Sequence, residues 1–214
     1  MREDIIQKIL DEKAIAIVRG IYGEDCLNLA RALHTGGVNL LEVTFDQKSA
    51  EERRQTCDTI RLLAKELGGR MAFGAGTVTS VEMVEMARKA GGQFIVSPDT
   101  NEAVIRATVA AGMVSIPGAL TPTEIAQAHR YGADFVKLFP ANAMGPAYLK
   151  SICAPLSHVR ILAVGGVDTG TVADYMAAGA VGVGVAGCLF KKEWVHAGQW
   201  DRITEASKVL VSLL

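Results

Sequence analysis

Residues 89–140 read KAGGQFIVSPDTNEAVIRATVAAGMVSIPGALTPTEIAQAHRYGADFVKLFP, and one unit occurs in them three times. A helix-like stretch ends in a small residue and glycine, and a short apolar run follows. The runs around Phe94, Val114 and Val136 are apolar at consecutive rather than alternate positions. A strand buried on both faces reads this way, and parallel strands covered by helices bury both faces. The glycines Gly91, Gly112 and Gly132 fall where a helix takes a left-handed residue at its C-terminal end. Two more copies lie outside this stretch: HTGGVNLLEVTF (34–45), with Gly36, and AAGAVGVGVAG (177–187), with Gly179. Three runs without the glycine signature, AIAIVRG (14–20), MAFGAG (71–76) and VRILAVGG (159–166), complete a set of eight strands. Between them lie amphipathic stretches such as CLNLARALH, SVEMVEMARKA and TVADYMAA. Eight alternating β and α elements in a chain of this length predict an α/β fold, a compact (β/α)8 TIM barrel. An open doubly wound sheet normally has fewer strands and a G-x-G-x-x-G first turn, which GAGT (74–77) matches only in part. No linker or composition shift interrupts the chain. Residues 1–214 therefore read as one barrel domain, with a short N-terminal helix closing its bottom.

Composition narrows the function classes. Of 214 residues, 50% are hydrophobic and 21% charged, and 22 basic against 23 acidic residues leave a net charge of −1. Neither a nucleic-acid footprint nor a polybasic membrane patch follows from that balance. The start, MREDIIQKILDEK, lacks the apolar core of a signal peptide, and no run of about 18 apolar residues occurs. Cys26, Cys57, Cys153 and Cys188 are scattered and form no C-x-x-C pair. They predict free thiols in a reduced, cytoplasmic protein.

The catalytic face of a barrel lies at the C-terminal ends of its strands. The polar residues there are Arg19 after the first strand, Glu42 and Thr44 in the second, and Thr77 after the third. The fourth strand ends in Ser97-Pro98 and the fifth in Pro117-Gly118. The sixth carries Lys137, the seventh leads into Gly165-Gly166, and the eighth into Gly187-Cys188. Lys137 stands inside FVKLF, on a strand with no exposed face. Burying an ammonium is costly, and the usual response is a lowered pKa. A neutral amine in an apolar pocket is the nucleophile that forms a Schiff base with a carbonyl. Glu42 lies in another apolar strand, with Thr44 on the same side two residues on. A buried carboxylate has a raised pKa, which suits proton transfer near neutral pH. The structural alternative is a buried ion pair with no chemistry.

His34 and His129 fall on helices, His158 precedes the seventh strand at the wrong end, and His196 has no partner near it. No metal ligands gather at the catalytic face, and no metal is expected. Gly165, Gly166, Gly187 and Cys188 follow the last two strands. Barrels often bind phosphate there through backbone N–H groups, and glycine lets an anion approach closely.

The set LEVT (41–44), GAGTV (74–78), SP (97–98), IPG (116–118), VKLFPA (136–141) and AVGGV (163–167) resembles the 2-keto-3-deoxy-6-phosphogluconate aldolases, also called 4-hydroxy-2-oxoglutarate aldolases. The resemblance runs from Arg19 to WDRIT (200–204), nearly the whole chain. It implies a cytoplasmic, homotrimeric class I aldolase without metal or cofactor. Lys137 would form the Schiff base with pyruvate, and Glu42 would be the acid/base group. Thr77 would contact the pyruvyl carboxylate, Phe139 would pack against the ketimine, and Pro98 would line the same site. Three positions depart from the family. Asp46 stands where members often carry an arginine for the carboxylate, which leaves Arg19 to supply that charge, with Asp46 fixing it or facing the acceptor. Val164 stands where a threonine bearing on stereochemical preference often lies, and Cys188 replaces a serine at the phosphate site.

The expected reaction is cleavage of a 2-keto-3-deoxy-6-phospho sugar acid or 4-hydroxy-2-oxoglutarate to pyruvate and an aldehyde, glyceraldehyde 3-phosphate or glyoxylate. Two other readings stand beside it: a phosphate-binding barrel isomerase or epimerase without a covalent intermediate, and a non-catalytic sugar-acid-phosphate binding barrel.

Overall fold

The computed structural model describes residues 2–214. Its sheet is parallel throughout and runs in nine segments: β1 (Ala14–Val18), β2 (Leu40–Thr44), β3 (Ala72–Gly76), β4 (Phe94–Val96), β5 (Val114–Ile116), β6 (Gly118–Ala119), β7 (Val136–Leu138), β8 (Ile161–Val164) and β9 (Gly182–Val185). Their order is β5-β4-β3-β2-β1-β9-β8-β7-β6. The two ends, β5 and β6, are the halves of the single fifth strand expected over 114–118. Pro117 divides them, because it has no N–H to give the ladder. Its carbonyl still accepts from Lys137 N at 2.8 Å, and the Ser115 carbonyl accepts from Phe135 N at 3.2 Å. The ring therefore closes as a barrel of eight staves, as the sequence predicts, with one stave broken.

Ten helices accompany the strands: α1 (Arg2–Glu12), α2 (Gly23–Thr35), α3 (Ala50–Leu67), α4 (Val81–Lys89), α5 (Glu102–Ala110), α6 (Pro122–Arg130), α7 (Gly145–Cys153), α8 (Val172–Ala177), α9 (Lys192–His196) and α10 (Trp200–Val211). Local chemistry starts them where the polar punctuation stands. Ser80 accepts from Met83 N, Asn101 accepts from Val104 N, and Thr121 with Glu124 forms a capping box before Pro122. Each such cap satisfies N–H groups that the first helical turn leaves free.

Consecutive burial along the strands separates into two packed clusters. Leu41 and Val43 of β2 join the outer cluster under the helices, while Leu40 joins Ile15, Phe94, Val114, Phe135 and Leu162 inside the barrel. Ile5, Ile6 and Ile9 of α1 belong to the inner cluster. The N-terminal helix thus plugs the barrel bottom. Arg2 anchors it through an ion pair to Asp134 at 2.6 Å.

Four of the five signature glycines, Gly91, Gly112, Gly132 and Gly179, have positive φ, as expected. Gly36 does not: its φ is −86° and Gly37 takes the left-handed turn at 93°. Gly36 is small for another reason. A Cβ there would meet Ser207 Cβ and approach the Thr204 carbonyl to 2.6 Å, so glycine lets α10 lie against α2.

Candidate active site

One cavity of about 660 Å³ opens at the C-terminal ends of the strands. Arg19, Glu42, Thr77, Pro98, Lys137, Phe139, Gly165, Gly166, Gly187 and Cys188 all line it. The residues singled out from seven separate stretches of chain are therefore brought to one place. Sequence reasoning did not find Asp168, which lines the cavity beyond Gly165-Gly166, nor the apolar wall of Ile17 and Val185. The only sequence signal for Asp168 was its place three residues after the first of those glycines.

Lys137 and Glu42 reach the cavity because β7 and β2 turn them inward. Glu42 needs space, and β3 supplies it. A Cβ on Gly76 would collide with the Glu42 carboxyl, and one on Gly74 would collide with the Phe94 ring. The GAG of residues 74–76 is thus no dinucleotide loop. It is the hollow in the barrel wall that admits one carboxylate and one aromatic ring.

Both charged groups are buried: Glu42 is 2% exposed and Lys137 8%. Burial pushes the Glu42 carboxyl up from 4.5 to about 7, against the downward pull of Lys137 and then Arg19. Burial likewise lowers the Lys137 ammonium, while Glu42 pulls it up and Arg19 pushes it further down. In each case desolvation outweighs the attraction between the two. A settled ion pair would shift both groups the other way. Lys137 Nζ also stands 4.5 Å from the centroid of the Phe139 ring, which is 38% exposed at the mouth.

Arg19 and Thr77 meet directly: Arg19 Nη2 donates to Thr77 Oγ1 at 2.9 Å. Thr77 has a φ of 57°, a left-handed conformation uncommon for a threonine. Gln47 holds it there. Its amide donates to the Thr77 carbonyl at 2.7 Å, and its oxygen accepts from Thr79 Oγ1 at 2.9 Å. A left-handed non-glycine residue braced by its neighbours is typical of a functional loop. Asp46 does not fix Arg19 and does not face the cavity. Its Oδ1 accepts from Lys48 N at 2.7 Å and Ser49 N at 2.6 Å, which shapes the turn into α3. Those two bonds hold its carboxyl below its ordinary range.

The distal end of the cavity is built from backbone and small groups. Gly165 and Gly166 have φ of 96° and 70°. Asn142 lies over Gly166, where a Cβ would strike its side chain. Cys188 keeps its proton: burial pushes the thiol up, and Asp168 adds to the shift. Asp168 Oδ1 accepts from Gly170 N at 2.9 Å. Arg19 and Lys137 are the only cationic residues lining the cavity among the described residues. Among the same residues, no group of three or more His, Cys, Asp or Glu side chains is placed to hold a metal ion. No helix is long and apolar enough to cross a membrane.

Comparison with known proteins finds relatives along most of the chain. The family model described as "Aldolase: KDPG and KHG aldolase" matches residues 5–206. A 2-dehydro-3-deoxy-phosphogluconate aldolase of Treponema pallidum is 34% identical over 196 residues, covering 89% of this chain and 88% of the relative. A 2-dehydro-3-deoxy-6-phosphogalactonate aldolase of Escherichia coli is 34% identical over 83% of this chain and 84% of its own length. Among solved structures, a KDPG aldolase from Legionella pneumophila, with pyruvate captured at low pH as a covalent carbinolamine intermediate, superposes with a TM-score of 0.82. It is 26% identical, and the match covers 92% of this chain and 93% of that one.

Proposed function

The chain belongs to the KDPG and KHG aldolase family, and on that premise we propose that it is a class I, Schiff-base aldolase that releases pyruvate from a 4-hydroxy-2-oxo acid. The observation that carries the reading is the pair of Lys137 and Glu42, both buried in one cavity wall and both shifted toward their neutral forms. The relative captured with pyruvate as a carbinolamine supports the same first step.

The neutral Lys137 amine attacks the C2 carbonyl of the substrate and gives a carbinolamine. Loss of water leaves a protonated imine. Glu42, directly or through a water, takes the proton of the C4 hydroxyl. The C3–C4 bond breaks, its electron pair passes into the imine to form an enamine, and the aldehyde leaves. Protonation at C3 and hydrolysis release pyruvate and restore the amine. The iminium is the electron sink, so the step needs no further group. A barrel isomerase or epimerase would form no such adduct. Borohydride reduction in the presence of pyruvate, with mass mapping to Lys137, is the direct test. The homotrimer and the cytoplasmic setting belong to the same proposal and rest on the family resemblance.

Arg19 with Thr77 is the proposed seat of the pyruvyl carboxylate. A guanidinium fork suits a carboxylate, and Asp46 is turned away from it. Loss of a charged hydrogen bond costs about 1.5–3 kcal/mol, or roughly 10- to 100-fold in binding. Arg19→Met is therefore expected to raise the half-saturating pyruvate concentration for trapping by that factor, with the melting temperature unchanged. An unchanged half-saturation would move the carboxylate to backbone N–H groups near Thr77.

The aldehyde's far end is proposed to sit against Gly165, Gly166, Gly187 and Cys188. Gly166 is a poor probe of this, since any side chain there meets Asn142 at a positive φ. Gly187 is a good one, because a Cβ on it has open space around it. If a phosphate is cradled there, Gly187→Val raises KM for a 6-phospho-2-keto-3-deoxy sugar acid about tenfold or more, and inorganic phosphate competes. Val164 lines the cavity and offers no hydroxyl to the substrate, so a galactonate-series acid stands beside a gluconate one as the proposed substrate. Equal kcat/KM for 4-hydroxy-2-oxoglutarate, without phosphate inhibition, would assign the unphosphorylated substrate instead.

A further inference from the structure

The loop that follows β2 is folded so that one of its side chains crosses to the loop that follows β3. Asp46 Oδ1 takes the N–H groups of Lys48 and Ser49, and Arg53 Nη1 donates to the Gln47 carbonyl at 3.1 Å. The two loops leave the sheet side by side, because Phe45 N donates to the Gly76 carbonyl at 2.8 Å. Gln47 then spans the gap. Its Nε2 donates to the Thr77 carbonyl at 2.7 Å, and its Oε1 accepts from Thr79 Oγ1 at 2.9 Å. The orientation of the amide follows from its partners: a backbone carbonyl only accepts, so the NH2 group must face Thr77.

These bonds act on the peptide that joins Thr77 to Val78. Gln47 holds its carbonyl, and its N–H, that of Val78, donates to the Val96 carbonyl of β4 at 3.3 Å. The peptide cannot rotate without giving up both bonds. Thr77 is thereby kept at a φ of 57°, a region that disfavours a β-branched residue. In that conformation Thr77 lines the cavity, and its Oγ1 accepts from Arg19 Nη2 at 2.9 Å. A return of φ to the ordinary negative range would re-aim the hydroxyl and break its bond to the guanidinium.

We infer that Gln47 is a positioning residue: by pinning the Thr77 carbonyl it sets the Thr77 hydroxyl and the Arg19 guanidinium in the arrangement that receives the carboxylate of the 2-oxo acid. This rests on the aldolase reading. Gln47 does not line the cavity, so its effect reaches the substrate through Thr77 and Arg19. It is also exposed, so its loss leaves the core packing untouched. A seat ordered in advance determines how tightly the carboxylate is held. It does not determine how fast the Lys137 amine reacts once the substrate is in place.

The test uses two variants. Gln47→Met keeps the length and removes both bonds. Gln47→Glu keeps the shape but sets a carboxylate oxygen, which cannot donate, against the Thr77 carbonyl. The measurements are the half-saturating pyruvate concentration for borohydride trapping, the trapping rate at saturating pyruvate, and the melting temperature. Each variant is expected to raise half-saturation about fivefold, the worth of one neutral hydrogen bond. The rate at saturation should stay within about twofold, and the melting temperature within about 2 °C, as for other surface substitutions. Gln47→Met is then combined with Arg19→Met. If Gln47 works through Arg19 and Thr77, its loss adds less than about twofold once Arg19 is gone, whereas an independent structural effect would add its full factor again. The inference is overturned if either single variant stays within about twofold of wild type in half-saturation, if the loss lies in the saturated rate instead, or if Gln47→Met still costs about twofold or more in the Arg19→Met background. Failure of the aldolase reading looks different, because wild-type protein itself would then trap no pyruvate.

Discussion

Lys137→Ala and Lys137→Arg both lose aldol cleavage, on the order of 10⁴-fold or more as for removal of other enzymatic nucleophiles, and neither traps pyruvate under borohydride. The two substitutions fail for different reasons, which makes them informative together. Alanine has no amine. Arginine keeps the charge and most of the length, but its guanidinium stays protonated and cannot attack a carbonyl. If Lys137 were merely the counter-charge of Glu42, arginine would replace it and a large part of the activity would survive. More than a few per cent of wild-type turnover in Lys137→Arg would end the Schiff-base assignment. The structure already weighs against the counter-charge view, because burial lowers the ammonium despite the attraction of Glu42.

Lys137 and Glu42 were legible in the sequence for a physical reason. A charge inside a strand that is apolar at every neighbouring position has nowhere dry to hide except the barrel interior, and the interior opens at one end only. The eight staves were legible because two buried faces leave consecutive apolar residues. What escaped depends on partners distant in the chain. Gly36 looks like a helix terminator, yet its smallness serves contact with Ser207 and Thr204, over 160 residues away. Pro117 breaks a stave without breaking the ring, because the Ser115 and Pro117 carbonyls still take N–H groups from Phe135 and Lys137. Asp46 looked like a site residue from its place after LEVTF, but it caps the next turn. Gln47 was one polar loop residue among several. Only the structure shows it bracing the left-handed Thr77.

Glu42→Gln separates catalysis from stability in opposite directions. Glutamine keeps the shape in the hollow over Gly76 but cannot accept the C4 hydroxyl proton. Turnover is expected to fall by roughly 10²–10⁴, the range for general acid/base groups, while borohydride trapping of pyruvate survives at a slower rate. Stability moves the other way, and the sign follows from linkage. The Glu42 carboxyl is raised in the folded protein from 4.5 to about 7, so the folded state binds its proton more tightly than the unfolded chain does. Its favourable contribution is complete below the unfolded value and is lost as pH rises through the folded one. Glutamine does not titrate. The melting temperature of Glu42→Gln relative to wild type should therefore rise between pH 5 and pH 8. The wild type carries the cost of an ionised, desolvated carboxylate at the upper end, and the variant does not. An ion-pair role for Glu42 requires the reverse: lower stability in the variant, most marked at pH 8, with turnover near normal. Melting curves at the two pH values and one kcat measurement decide between them. Greater stability with lost turnover identifies a carboxyl held in the barrel wall at the expense of the fold for the sake of its proton.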